Sequence, residues 1–333
     1  MNSGGFMMIE DLFRERIVSL AKLPQDNTLD IDHLGNLKLL LIPIDHDYAG
    51  GSAAMHNALF RKYNLHYRTA FVVANPEDIR VIMDTFRDDP RYVGGGMGSG
   101  FKEKAIRCVD ELDDSARFLG SINVVEKRNG KLVGYNTDGI GFVQGFLSEY
   151  PHGIENKKIV ILGAGGTTLP VAYELARNGP RDIVILNRTV NKAEAVAEKI
   201  SAYVYARSGG QERIGEELKN ADIVINTSNK GAHPEEGYTA FGPMTEPYKE
   251  NYLHDMKIAF DNLAQLPKAA IVADILLEHE PMTLRVAHFA GYRTHHGRSM
   301  NLYQAIPAIK IMTGIRTIAD VDLEKVMRGA IGL

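Results

Sequence analysis

The stretch that most restricts what this chain can fold into is Lys157–Lys192, KKIVILGAGGTTLPVAYELARNGPRDIVILNRTVNK. Its apolar run Ile159–Leu162 has the length and composition of a buried parallel strand. The run breaks into Gly163-Ala164-Gly165-Gly166, and helical spacing follows through Ala172, Leu175 and Ala176. A second apolar run, Ile183–Leu186, ends in Asn187-Arg188-Thr189. Strand, glycine turn, helix and strand, in that order, form the first half of a dinucleotide-binding unit.

The residue types carry the chemistry. Gly163 and Gly165 allow a sharp turn and a close backbone approach to a pyrophosphate, which the N–H groups opening the next helix then face. Thr168 stands where the third glycine of the fingerprint would be, and Pro170 fits only in the first turn of that helix. The tip of the second strand chooses the cofactor. NAD sites carry an acidic residue there, whereas a cation accommodates a 2′-phosphate. Here Asn187-Arg188-Thr189 is followed by Lys192, with no carboxylate before Glu194. This favours NADP; the alternative is that Arg188 and Lys192 are solvated charges at a helix start.

The length, 333 residues, suffices for two domains with their own cores. A net charge of −4 gives no electrostatic footprint for nucleic acid or a lipid surface. A single cysteine, Cys108, excludes an internal disulfide framework and suits a reducing cytosol. The start, MNSGGFMMIEDLF, lacks the basic and apolar regions of a signal peptide, and no apolar run approaches a membrane span. The expectation is a cytoplasmic protein, monomer or homodimer.

Along the chain, helical spacing covers residues 8–22, ended by Pro24. Strands are expected at Leu37–Ile44, Tyr67–Val73 and Arg91–Val93, and helices at Ser52–Lys62 and Pro76–Phe86. A glycine-rich stretch, Gly94–Gly100, reads as a flexible loop ahead of a helix from Phe101 to about Val109; it lacks the Gly-Lys-Ser/Thr of a phosphate loop. Asn129-Gly130 marks a hairpin between Asn123–Lys127 and Lys131–Tyr135. A long helix spans Thr137–Tyr150. Beyond the nucleotide unit, strands are expected at Ala221–Asn226 and Ala270–Ile275, a mobile loop at Thr227–Phe241, and helices at Met282–Ala290, Ser299–Met312 and Asp322–Arg328.

Outside the nucleotide unit, Lys102 and Asp138 form a candidate proton-transfer pair. Each sits where a loop or strand becomes a helix, a usual seat of catalytic groups. When a hydride leaves an alcohol, the hydroxyl proton needs an acceptor, and a lysine oriented by a carboxylate can take it. Singly, a lysine such as Lys102 is more often a solvated helix-start residue, and Asp138 is a good N-terminal cap. Asp45-His46-Asp47 and His295-His296 do not close a metal site, because neighbours on a strand point to opposite faces. No metal is expected.

These segments, in this order, resemble the shikimate dehydrogenase family over roughly residues 37–313. Gly134-Tyr135-Asn136-Thr137-Asp138-Gly139 matches G-x-N-T-D, Gly120–Val125 looks like G-A-x-N-T-V, and His56-Asn57 with Phe60 matches H-N-x-x-F. Gly163–Gly166, Asn187–Thr189, Asn226-Thr227-Ser228 and Gly297…Gln304 fall where that family has its nucleotide loop, 2′-phosphate clasp, nicotinamide-side loop and substrate glutamine. The resemblance implies NADP-dependent, reversible reduction of 3-dehydroshikimate to shikimate, within the chorismate pathway of aromatic amino acid biosynthesis. It implies Lys102 and Asp138 as the catalytic pair. Ser52, Asn123 and Gln304 would be substrate contacts, and Gly163, Ala164, Gly165, Gly166, Asn187, Arg188, Thr189, Lys192, Thr227 and Gly297 cofactor contacts.

The chain departs from the family at the substrate clasp. H-S-x-S-P-x-x-H-N has become His46-Asp47-Tyr48-Ala49-Gly50-Gly51-Ser52-Ala53-Ala54-Met55-His56-Asn57. An ionised Asp47 pointing inward would repel a substrate carboxylate. N-V-T-x-P-F-K has become Gly96-Met97-Gly98-Ser99-Gly100-Phe101-Lys102, and the family's tyrosine after the last strand falls at Leu276 or Leu277. The glycines imply a looser loop before the lysine. The expectation is thus two α/β domains with the active site in the cleft between them. Residues 1–145 with 298–333 would be the substrate-binding catalytic domain, and 146–297 a Rossmann-type NADP-binding domain. The partner would be a small cyclic polyol acid. Two alternatives stay open: a diverged relative acting on quinate or another cyclic alcohol, and a non-catalytic NADP-binding protein.

Overall fold

The apolar runs sort into two sheets, one mixed and one wholly parallel. The computed structural model describes residues 6–22, 27–47, 50–98, 100–232, 237–243, 251–277 and 280–333. Pro24, Tyr48, Ala49 and Ser99 lie outside the described residues. The chain divides into two units, residues 1–137 with 304–333, and residues 138–303.

In the first unit the strands are β1 (Val18–Leu20), β2 (Lys38–Ile44), β3 (Tyr67–Ala74), β4 (Tyr92–Gly96), β5 (Glu111–Leu112), β6 (Val124–Arg128) and β7 (Lys131–Tyr135). They lie in the order β1-β3-β2-β4-β6-β7-β5. All of β2 except Lys38 is buried, as a strand flanked by two parallel neighbours must be. The β6–β7 hairpin turns through Asn129 at φ 53° and Gly130 at φ 78°, the two left-handed residues that a tight hairpin turn of this type requires. The helix Ser52–Lys62 carries His56 and Asn57 inward. The Asn57 amide makes both backbone hydrogen bonds to Thr69 of β3, each at 2.9 Å, and His56 Nδ1 lies 3.2 Å from the Thr69 hydroxyl. This pair docks helix on sheet.

Three expectations for this unit are corrected. Residues 8–22 are not one helix: Ile9–Arg14 is helical, Arg16 turns the chain at φ 59°, and Val18–Leu20 pairs antiparallel with β3. A left-handed residue ends the helix, and sheet pairing then overrides the helical periodicity. Lys102–Ala105 alone is helical where Phe101–Val109 was expected. Most telling, the glycine stretch is not a loose loop. Gly94–Gly96 belong to β4, where the register with β2 shifts by a bulge. A Cβ on Gly95 would stand 1.9 Å from the Leu41 carbonyl oxygen, and one on Gly98 would stand 2.5 Å from Ile44 Cγ2. These glycines permit close backbone approach.

Among the described residues the second unit has six strands: β8 (Lys158–Leu162), β9 (Asp182–Leu186), β10 (Tyr205–Gly209), β11 (Ile223–Asn226), β12 (Ile271–Asp274) and β13 (Arg293–His296). All pairings are parallel, in the order β10-β9-β8-β11-β12-β13. Numbered within the unit this is 3-2-1-4-5-6, the doubly wound order. The outer strands β10 and β13 went unanticipated because edge positions need no continuous apolar run, and TyrAlaArgSerGly and ArgThrHisHis have none. The helix Tyr252–Leu263 was also unanticipated. Within Thr227–Phe241, residues 233–236 lie outside the described residues. The rest packs: Lys230, Thr239, Ala240 and Phe241 are buried, and the Lys230 ammonium donates to the Gly242 carbonyl. No helix among the described residues is long and apolar enough to cross a membrane.

Candidate active site and cofactor site

The reversal of strand order in the second unit falls between β8 and β11. Ligands of doubly wound sheets bind at the carboxyl ends of the strands beside such a reversal. Gly163 leaves β8 at φ 120°, where a Cβ would stand 2.8 Å from the Ser228 nitrogen and 2.9 Å from the Thr227 carbonyl carbon. Gly165 and Gly166 are exposed, and the nearest atom to a Cβ on Gly165 would be 3.8 Å away. The first glycine therefore packs the loop on its neighbour, and the second leaves its backbone open to a ligand. Thr168, the departure from the fingerprint, is buried, and its hydroxyl lies 2.8 Å from that of Thr227. Pro170 is the third residue of the helix Thr168–Ala176, where its missing N–H costs nothing. Beyond β9, the Asn187 amide donates to the Thr189 carbonyl at 2.9 Å, and Arg188 and Lys192 are exposed.

Behind Thr227 lies a buried network that the sequence did not signal. Asn226 ends β11; its amide nitrogen donates to the Lys230 carbonyl at 3.0 Å and to Asp274 Oδ2 at 2.8 Å. Its oxygen accepts from the Ser228 N–H and hydroxyl at 2.9 and 2.7 Å. Asp274, at the end of β12, also accepts from the Leu276 N–H at 3.0 Å and from the Thr283 hydroxyl. Burial pushes its carboxyl up to about 7 against the pull of these donors. A carboxylate closing an otherwise apolar strand, AIVAD, was the available clue. Gly297, expected among the cofactor contacts, packs on backbone: a Cβ would stand 2.4 Å from Ile275 C and O. His295 bonds within the unit, Nδ1 to Glu149 at 2.9 Å and Nε2 to the Ser299 hydroxyl at 3.0 Å. Among the described residues no group of three His, Cys, Asp or Glu could hold a metal ion.

In the first unit, β2, β4 and β7 run one way and β6 the other. The carboxyl ends of the first three and the amino end of β6 therefore share one sheet edge. Backbone bonds tie the segments there: Gly98 N–H to the Pro43 carbonyl at 3.0 Å, Met97 N–H to Asn123 O at 2.8 Å, and Ile122 N–H to Lys102 O at 3.1 Å. Asn123 is buried, accepting from the Thr137 N–H at 2.8 Å and donating to the Thr137 hydroxyl at 3.1 Å and to Gln304 Oε1 at 3.4 Å. Half-buried Lys102 opens its helix above fully buried Phe101. Lys102, Asn123, Thr137 and Gln304 are thus brought to one edge. Amides that both donate and accept suit a hydroxylated ligand, and a lysine beside them can move a proton. Ser52 is the first residue of its helix, half-buried. Asp47 is exposed and pairs with Lys22 at 3.0 Å. Asp138 is buried and opens the helix Asp138–Glu149 of the second unit.

Residues 43–125 match the model of the shikimate dehydrogenase substrate-binding domain, and residues 147–234 match that of shikimate / quinate 5-dehydrogenase. A curated relative, shikimate dehydrogenase (NADP(+)) of Oceanobacillus iheyensis, is 31% identical over 88% of this chain and 99% of its own length. Among solved structures, a shikimate dehydrogenase in complex with NADP+ superposes with a TM-score of 0.72 at 28% identity, covering 93% of this chain and 98% of that one. Shikimate 5-dehydrogenase of Listeria monocytogenes, in complex with shikimate and NAD, has a TM-score of 0.72 at 25% identity, covering 92% and 99%.

Proposed function

The chain belongs to the shikimate / quinate dehydrogenase family of oxidoreductases, and we propose that it interconverts a cyclic alcohol and its ketone with NADP. The doubly wound order and the open Gly165-Gly166 backbone at the strand-order reversal support the cofactor assignment most directly. A bound nicotinamide would supply the hydride chemistry, giving the hydride in its reduced form and taking it in its oxidised form. Gly163–Gly166 and the start of the helix Thr168–Ala176 receive the pyrophosphate, with the Thr168–Thr227 hydroxyl pair fixing the loop. Arg188 and Lys192, exposed beyond β9, neutralise the 2′-phosphate, and Asn187 and Thr189 hold the turn that presents them.

In the first unit Lys102 takes the hydroxyl proton as the alcohol is oxidised and returns it in the reverse direction, and Asp138 is the second member of the catalytic pair. Asn123 and Gln304 hold ring hydroxyls, and Ser52 contacts the polar end of the substrate. The first unit is the substrate-binding domain and the second the NADP-binding domain. The test is to follow the absorbance of reduced cofactor with shikimate and quinate, each with NADP and with NAD. Reduction of NADP by either alcohol supports the proposal. NADP bound without turnover of any cyclic alcohol refutes it and leaves a nucleotide-binding protein.

A further inference from the structure

Asp45 directly follows β2 at the sheet edge that carries Lys102, Asn123 and Gln304. Its carboxylate lies against Gly100, two residues before Lys102: a Cβ there would stand 2.5 Å from Asp45 Oδ2. Gly100 is at φ 80°, so the carboxylate fills space that a side chain would claim. Asp45 Oδ1 is engaged by His46 Nδ1 at 2.6 Å. The side chain keeps 35% of its surface exposed, which leaves a partly exposed carboxylate packed against the segment that leads to Lys102. Asp47 is instead paired with Lys22 at 3.0 Å.

We propose that Asp45 determines substrate specificity, accepting a hydrogen bond from the substrate and turning away a carboxylate, so that the preferred substrate is a cyclic polyol without a carboxylate at that end. This rests on the dehydrogenase function proposed above. At a partly exposed position a second carboxylate about 6 Å away is disfavoured by about tenfold, whereas a hydroxyl or ammonium is welcomed. Raising ionic strength weakens that discrimination.

The test compares kcat/KM for shikimate and for its uncharged methyl ester, with NADP, in the wild type, Asp45→Asn, Asp45→Ser and Asp47→Asn. The expected result is that the wild type prefers the ester by about tenfold, mainly through KM. Both Asp45 variants then bring the ratio towards one by improving shikimate, and Asp47→Asn leaves it within about twofold. Two variants at an exposed position guard against a folding defect. A wild type that prefers shikimate, or a ratio unmoved in both Asp45 variants, overturns this inference and leaves the dehydrogenase function standing. No turnover of either compound or of a neutral cyclitol, with NADP bound, overturns both.

Discussion

Replacing Gly95 by alanine tests why the segment before Lys102 is glycine-rich. The added Cβ would stand 1.9 Å from Leu41 O and 2.9 Å from Leu41 C. Ordinary contact needs about 3.5 Å, so β2 and β4 must part by roughly 1.5 Å. Neither strand is free to move: Leu41 is in register with Ala70 of β3, and Gly95 with Val125 of β6. Parting them sacrifices about two ladder hydrogen bonds at about 1 kcal/mol each, plus packing strain, for a total of about 3 kcal/mol. Gly96→Ala is the internal control. Its Cβ would stand 3.3 Å from the Ile42 side chain and 3.5 Å from the Asn123 carbonyl oxygen, and the stiffer unfolded chain offsets part of the cost, leaving it within about 1 kcal/mol of wild type. Urea unfolding followed by circular dichroism gives the two midpoints, and hydrogen exchange of residues 92–98 localises the change. Gly95→Ala should also lower kcat, since Met97 and Gly98 carry the strand's position to Lys102. A Gly95→Ala protein as stable as Gly96→Ala would refute the close-approach explanation.

Three further outcomes are expected. Asp274 titrates near 7 in the folded state against 3.8 when exposed, so the folded state holds the extra proton. That stability is full below pH 4 and is lost as pH rises to 7, about 4 kcal/mol in the second unit; Asp274→Asn should flatten the dependence in pH-resolved unfolding. His56 runs the other way: burial lowers it from 6.5 to about 4, so the stability it contributes to the first unit is present above pH 6.5. It is lost as pH falls to 4, by about 3 kcal/mol, and hydrogen exchange resolved by unit should show opposite slopes. Arg188→Ala should raise KM for NADP by about tenfold and leave NAD within about twofold, a shift absent if Arg188 is only a solvated charge.

What the sequence disclosed follows from where the constraint is local. Buried central strands such as Ile159–Leu162 and Ile183–Leu186 must be apolar throughout, and a tight hairpin must have something like Asn129-Gly130, so both are legible. The edge strands β10 and β13 carry no such demand and were missed. Val18–Leu20 was read as helix because its pairing partner, β3, is some fifty residues away in sequence. The glycines before Lys102 were read as freedom, whereas the bulge in the β2–β4 register, which no local pattern reveals, makes them a packing requirement. Motif order singles out Asn123 and Gln304, and their amides meet at 3.4 Å. The contacts of Asp45 with Gly100 and of Asp274 with Asn226 are long-range and are not encoded in spacing.

If Lys102 moves the proton in an NADP-dependent alcohol oxidation, removing its ammonium must slow turnover, and steady-state kinetics of Lys102→Ala beside the wild type measure that loss. Reduced-cofactor absorbance should show kcat lower by about 10²–10⁴-fold, with NADP affinity unchanged by equilibrium titration. A Lys102→Ala protein that turns over the same alcohol at the wild-type rate would rule out that role for Lys102.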